Sequence, residues 1–213
     1  MRTTDVTRRN PDRTRERLLE AGFAEIYSRG FQPAALDAIV ERAGVTKGAL
    51  YHHFPGKHAL GYAVLDEVIG RYTDLRWLDP IRDAADPLAA IAGTMREAFK
   101  TDFEHGCPLN NLSQEMSRAD EGFHQRIAAL YRRWEGGVAA ALASGQRRGL
   151  VDPAVNVHDA ATFVVASIEG AYSLAKGRQD RAPLMACLAG ITRFLESLRT
   201  GARPSRAPSL PLT

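Results

Sequence analysis

The chain has 213 residues, 45% hydrophobic and 25% charged. That is the balance of a soluble globular protein with one domain or two small ones, and it excludes wholesale disorder. No segment approaches the roughly 18 uninterrupted apolar residues of a membrane span, and Met1-Arg2-Thr3-Thr4-Asp5 is not followed by an apolar core, so no membrane partner and no secretory signal are expected. Two cysteines, Cys107 and Cys187, cannot build a disulfide framework, which fits a reducing cytoplasm. The net charge of +3 is unevenly spread: residues 1–60 hold ten Lys/Arg against seven Asp/Glu, residues 61–198 hold fifteen against eighteen, and the last fifteen residues hold Arg199, Arg203 and Arg206 and no acid. A basic end beside a mildly acidic body points to a polyanion partner and a separate second module.

The pattern is helical almost throughout, with no sustained alternation and no hairpin turn between β-branched runs. Asn10-Pro11 reads as a helix start, Leu19, Phe23 and Ile26 share one face, and Gly30 stops the helix. A short helix is expected from about Leu36 to Ala43, ending at Gly44, and another from Thr46 to near Phe54, before Pro55-Gly56 breaks the chain. A long helix follows from about Lys57 to Leu78, stopped at Pro80. Further helices are expected at about Pro87–Glu104, Pro108–Ser117, Glu121–Arg148, Val157–Lys176 and Ala182–Leu198. The tail after Leu198, rich in Pro, Ser, Arg and Gly, lacks apolar periodicity and is expected to be disordered. The architecture expected is all-α, about nine helices: a basic arm over 1–10, a three-helix head over 11–56, a helical body over 57–198 and a tail over 199–213.

Residues 36–54 say the most. Two short helices meet at the tight turn Gly44-Val45-Thr46. Ile39, Ala43, Val45, Leu50 and Phe54 are spaced to pack them together, Gly44 supplies a positive φ and Thr46 a capping hydroxyl. This is the sequence form of a helix-turn-helix. At 100° per residue, Ala49, Leu50, His53 and Phe54 fall on one arc of the second helix, and Lys47, Gly48, Tyr51 and His52 on the opposite one. A cation, an aromatic hydroxyl, an imidazole and a bare glycine suit a nucleic-acid backbone.

The stretch Thr46-Lys47-Gly48-Ala49-Leu50-Tyr51-His52-His53-Phe54-Pro55-Gly56-Lys57 resembles the recognition-helix signature of TetR/AcrR transcriptional regulators, with Arg15 to Ala24, Gly30-Phe31 and Ile39 to Val45 matching the first two helices. The resemblance implies a homodimer that binds double-stranded operator DNA through its heads, most often as a repressor released by a small-molecule effector. It implies phosphate contacts from Thr46, Tyr51, His52 and Lys57, with Lys47 and Gly48 at base edges or backbone. One departure stands out. Pro33-Ala34-Ala35 occupies the place where the family often caps the second helix with Ser or Thr. Arg2, Arg8, Arg9 and Arg13 form a basic arm that suits a minor-groove contact or a merely solvated tail.

Reading a palindrome requires two heads about 34 Å apart, hence a dimer. The last two helices are the expected interface, with Phe163, Val164, Ser167, Ile168, Ala171 and Tyr172 along one, Leu184, Leu188, Ile191, Leu195 and Leu198 along the other, and small Ala166, Gly170, Ala186 and Gly190 permitting close approach. The remaining helices are expected to enclose an effector pocket lined by Phe99, Phe103, Cys107, Asn110, Asn111, Gln114, Tyr131, Trp134, Phe163, Glu169 and Tyr172, a mix of aromatics with a few polar groups. Cys107 precedes Pro108 at a helix start and follows His105. There a helix dipole and a protonated imidazole favour thiolate, so an electrophile or oxidant sensor of the same fold is the alternative reading. The bland alternative is a small buried apolar residue. An enzyme finds no support: there is no phosphate-cradling glycine loop, no Gly-x-Ser-x-Gly and no His-Glu-x-x-His. The scattered histidines show no metal-ligand spacing, and neither metal nor cofactor is expected.

Overall fold

The computed structural model describes residues 11–100 and 103–201. Helix α1 is Pro11–Arg29, with proline at its first position where no N–H is needed. The expected N-cap Asn10 and the basic arm over 1–10 lie outside the described residues. Gly30, at φ 92°, ends α1 by donating its N–H to the Ile26 carbonyl at 2.8 Å. Helix α2 is Leu36–Ala43; its N-cap Ala35 makes no side-chain bond, as the Pro33-Ala34-Ala35 sequence requires, and Gly44 closes it in the left-handed region at φ 60°. Helix α3 is Lys47–His53. Thr46 is extended and stands outside it as the cap, its Oγ1 accepting the Ala49 N–H at 3.2 Å. The helical run over residues 57–78, α4, contains two π-helical stretches, Val64–Ile69 and Asp74–Leu78. In these the Gly70 N–H reaches back to Leu65, and that of Asp79 to Asp74, one residue further than in an α-helix.

Helix α5 is Pro87–Ala98, capped by Asp86, whose carboxylate accepts the Leu88 and Ala89 N–H groups at 3.0 and 3.1 Å. It stops well short of residue 104. The Tyr172 hydroxyl donates to the Ala98 carbonyl and the Arg181 guanidinium to that of Phe99, so two orphan carbonyls of the helix end find side-chain donors. Helices α6 (Pro108–Met116), α7 (Glu121–Arg147), α8 (Val157–Arg178) and α9 (Ala182–Ser197) follow. Asn156 caps α8, and Gln179, at φ 48°, ends it. Among the described residues there are nine helical elements in all, and the one extended pairing is an isolated bridge between Val151 and Arg199.

The described chain divides into two compact units, one holding residues 11–72 and 108–130, the other the remainder. In the first, Leu18, Phe31, Ile39, Leu50, Phe54, Leu60 and Phe123 are buried. In the second, Met95, Phe99, Trp134, Leu142, Val164, Ile168, Ala175 and Leu184 are buried. Each of the Leu, Ile, Val, Met and Phe side chains among them contributes about 1.5–3 kcal/mol of transfer free energy.

Two expectations about the C-terminal part are corrected. Arg199 is not tail: its guanidinium pairs with Asp86 at 2.8 Å and with Glu196 at 2.6 Å, and Thr200 donates its N–H to the Leu150 carbonyl. Residues 202–213 lie outside the description. The stripe Leu184, Leu188, Ile191, Leu195 and Leu198, expected at an interface, is buried within the second unit, as are Val164, Ile168, Ala171 and Tyr172. The exposed apolar positions of the same helices are Phe163, Ala166, Gly170 and Leu174 on α8 and Met185, Ala186 and Ala189 on α9. Heptad-like spacing alone does not tell which side of such a helix faces its own core.

Candidate nucleic-acid interface

The head works as a scaffold for the outer arc of α3. Leu50 and Phe54 are 1% and 3% exposed and anchor the helix from beneath, while Lys47, Gly48, Tyr51 and His52 face solvent, Tyr51 with 56% of its surface open. An aromatic side chain this exposed gains little from its own chain, which is what a contact residue for an outside partner looks like. Gly48 is bare without an internal reason. A Cβ there would meet nothing of its own chain closer than Thr46 Oγ1 at 3.9 Å. The outer side of the helix is therefore open at this position.

Residues remote in sequence hold this arc. Arg17 of α1 donates to the Gly44 carbonyl at 3.3 Å, and a Cβ on Gly44 would lie 2.6 Å from the same guanidinium nitrogen. Arg15 lies over the Phe54 ring, 5.3 Å from its centroid, and forms a two-pronged ion pair with Glu67. That pairing raises Arg15 and holds the Glu67 carboxyl below its ordinary range. Asp37 of α2 pairs with the Lys47 ammonium at 2.7 Å and raises its pKa by hydrogen bonding, though both side chains remain mostly exposed. His52 packs edge-on to His53. Neither Arg17 nor Asp37 was among the residues singled out from sequence; their partners lie 27 and 10 positions away, beyond the reach of helical periodicity.

Lys57 sits differently from the rest of its set. Half-buried, it donates to the Gln32 carbonyl at 2.7 Å and lies 4.9 Å from the centroid of Phe31. Thr46, Lys47, Gly48, Tyr51 and His52 thus share one exposed face, and Lys57 is engaged with the turn between α1 and α2.

The expected effector residues divide into several groups. Phe99 and Tyr172 meet edge-to-face at 5.5 Å, and Arg181 lies over the Phe103 ring at 4.9 Å while donating to the Phe99 carbonyl. Cys107 and Glu169 are both buried and neighbour one another. Burial pushes the Glu169 carboxyl up to about 7, the nearby Cys107 thiol pulling the other way. Trp134 packs against Trp77, ring centroids 5.0 Å apart and planes tilted by 30°, beside a cavity of about 10 Å³, lined also by Met95, Val164 and Ile168 and large enough for about one water molecule. Tyr131 is half-buried in the same unit. Phe163 is not with these groups: 49% exposed, it packs against Phe194 on the outward side of α8. Asn110, Asn111 and Gln114 belong to the other unit, where Gln114 bonds Asn110 and Asn111 borders a cavity of about 10 Å³ beneath Gly30. A wider cleft of about 520 Å³ lies elsewhere in the second unit, along α7 at Arg133, Gly137, Ala141 and Ser144. No sequence signal marked it. Among the described residues, no three His, Cys, Asp or Glu side chains gather as a metal site would need, and no helix is long and apolar enough to cross a membrane.

An all-α chain with a helix-turn-helix head and an outward polar arc is the build of a bacterial DNA-binding regulator, and the comparisons with known proteins agree. Residues 18–64 match "Bacterial regulatory proteins, tetR family" and residues 84–189 match "Transcriptional regulator LmrA/YxaF-like, C-terminal domain". The chain belongs to the TetR family of transcriptional regulators. Similar relatives are the transcriptional repressor DhaR of Mycobacterium sp. strain GP1, 27% identical over 80% of this chain and 86% of that one, and the regulator LmrA of Bacillus subtilis, 26% identical over 81% and 91%. Among solved structures, a TetR regulator from Chloroflexus aurantiacus superposes with a TM-score of 0.80 at 23% identity, covering 89% of this chain and 97% of that one. Escherichia coli NemR in its reduced form gives 0.77 at 25%, covering 89% and 98%.

Proposed function

We propose that the protein is a repressor that binds a palindromic operator as a homodimer and leaves it when a small molecule binds the second unit. The observation that carries the DNA assignment is the exposed arc of Thr46, Lys47, Gly48, Tyr51 and His52 on a helix whose opposite side is fully anchored. Thr46, Tyr51 and His52 donate to phosphate, and Lys47 and Gly48 sit nearest base edges. Lys57 joins them by exchanging the Gln32 carbonyl for a phosphate. Repression is favoured by the relatives, of which DhaR is named a repressor. For the dimer, the exposed apolar positions of α8 and α9 are the surfaces to pair, and a second copy covers Phe163. Gly170 and Gly190 have nothing of their own chain within 4 Å of a would-be Cβ, leaving room for a second backbone. The effector site draws on Phe99, Phe103, Cys107, Tyr131, Trp134, Glu169 and Tyr172 of the second unit.

The test is selection of bound duplexes from random DNA by the purified protein. Enriched sequences should contain an inverted repeat with half-sites about one helical turn apart, and log affinity should fall linearly with log salt. Failure to enrich any sequence over a bead control would remove the assignment.

A second reading is favoured by one contact, the buried Cys107 thiol against Glu169. A carboxylate that titrates near neutrality is a fitting proton acceptor for the thiol. The thiolate then adds to the β-carbon of an enal or quinone, and the proton returns to the resulting enolate. Alkylation should weaken operator binding by wild type and leave Cys107→Ser unaffected; an equal response in both ends this reading.

A further inference from the structure

The turn joining α1 to α2 is clamped by a carboxylate from far along the chain. Gly30, in the left-handed half of the Ramachandran plot, points the next two N–H groups the same way, and they form a small anion nest. Glu115 of α6 fills it. Its Oε2 accepts the Phe31 N–H at 2.8 Å and its Oε1 the Gln32 N–H at 2.7 Å. The glycine is required twice over, since a Cβ at position 30 would also lie 3.0 Å from Oε2. The Lys57 ammonium takes the Gln32 carbonyl on the same turn, so acceptor and donor sides are both held. The Phe31 ring is locked as well: it meets Phe123 edge-on at 4.6 Å and His58 at 5.2 Å, and only a glycine at position 61 admits that stack, because a Cβ there would lie 2.5 Å from Phe31. The segment that bears Phe123 is tied down by Asp120, which accepts both the Tyr62 hydroxyl and the Phe123 N–H.

The turn so held is the origin of both elements that place the recognition helix. α1 ends at it and carries Arg17, which bonds the Gly44 carbonyl. α2 starts just beyond it and carries Asp37, which holds Lys47. Glu115 spans 84 positions to reach Phe31, further than the Arg15–Glu67 pair at 52 and the Tyr62–Asp120 bond at 58, and it alone of these grips two consecutive backbone amides. A carboxylate with two charge-assisted bonds to consecutive amides fixes orientation as well as distance.

We propose that Glu115 is a positioning residue for DNA binding: it touches no DNA, and by seating in the nest at Phe31 and Gln32 it makes α6 the element that sets how α1 and α2 present the α3 arc. This rests on the DNA-binding reading above. Because the interaction is made by both oxygens, an amide cannot replace it: the NH2 of a glutamine side chain would face one of the two N–H donors.

The experiment uses the full-length protein and a duplex recovered by the selection described above. Glu115→Gln and Glu115→Ala are measured beside wild type and Tyr51→Ala, at a temperature well below each variant's Tm and normalised to folded dimer. Losing two charge-assisted bonds per head should lower operator affinity about tenfold or more. The slope of log affinity against log salt should stay unchanged, since no phosphate contact is removed. Amide exchange at Phe31 and Gln32 should speed up in Glu115→Gln. A residue that only stabilises the fold would lower Tm and leave affinity per folded dimer at the wild-type value, and that result overturns the proposal. Should neither variant fold, unprotected amides at positions 31 and 32 in wild type would still overturn it. Absence of operator binding by wild type itself would instead overturn the reading on which it rests.

Discussion

The outer arc of α3 and the Glu169–Cys107 pair of the second unit place polar groups in opposite circumstances. On α3 the polar groups of the outer arc are exposed; the helix beneath them is anchored by Leu50 and Phe54, three positions from Lys47 and Tyr51, with Arg17 and Asp37 reaching in from α1 and α2. Around Glu169 the polar group is buried, and its surroundings, Cys107 among them, come from 62 positions away in sequence. The lesson is about what each arrangement tolerates. An exposed group costs little to place and is kept for a partner outside the chain. A buried ionisable group destabilises the fold over part of the pH range and needs a reason to remain.

The comparison is tested first where the effect is largest. Lys47→Ala or Tyr51→Ala removes an exposed group, so Tm should stay within a few degrees, since nothing buried is lost. On the proposed roles, a phosphate contact from Tyr51 or a base-edge contact from Lys47 is worth about thirtyfold, and a symmetric dimer loses it twice, so operator affinity should fall roughly a thousandfold. Equilibrium binding and a thermal melt on the same sample check both halves. Wild-type affinity in either variant sinks the assignment of this face.

Glu169→Gln probes the buried side. The folded-state pKa of about 7 stands above the ordinary 4.5. Between those values the native protein holds a proton that the unfolded chain releases. The group's contribution is therefore fully present below about pH 4.5 and is lost as pH rises towards 7, a span of about 3 kcal/mol. The amide does not ionise. The stability of Glu169→Gln relative to wild type should grow across that window and level off above it. Other carboxyls act in the reverse sense. Asp86 is pushed up by burial, but hydrogen bonds from Ala89, Arg199 and Leu88 outweigh this and hold it low, and Asp120 is held low by Tyr62, so their contributions fade as pH falls. Denaturant titrations of wild type and variant at pH 5, 6, 7 and 8 cancel those shared terms. Parallel curves would show that Glu169 is not held protonated.

The same contrast explains what the sequence discloses. The inward turn of Leu50 and Phe54, the outward turn of Lys47, Gly48, Tyr51 and His52, the cap at Thr46 and the left-handed Gly44 all follow from rules acting within one helical turn. The nine-element all-α layout follows from the same rules applied along the chain. The early end of α5 does not, because it depends on Tyr172 and Arg181 arriving more than 70 positions later. Nor does the outward placement of Phe163, since α8 has apolar residues on both sides and only the packed unit decides which side is core. Lys57 carries a basic side chain at a helix start, and no local rule reveals that the Gln32 carbonyl is within its reach.

The smallest effect concerns Asp37, where the two kinds of placement meet. Its pairing with Lys47 is between groups that are mostly exposed, so it adds little to stability. Its consequence for binding depends on which of two roles wins. As a negative charge beside the α3 arc it repels phosphate and occupies the lysine; as a tether it holds that side chain in an extended, ordered position. Exposed pairs are screened and exchange partners freely, so repulsion should dominate. Asp37→Asn is therefore expected to tighten operator binding about twofold to fivefold at low salt, with the gain shrinking as salt rises. Affinities measured from low to physiological salt distinguish the roles: weaker binding by Asp37→Asn at every salt concentration would assign Asp37 to holding the lysine in place.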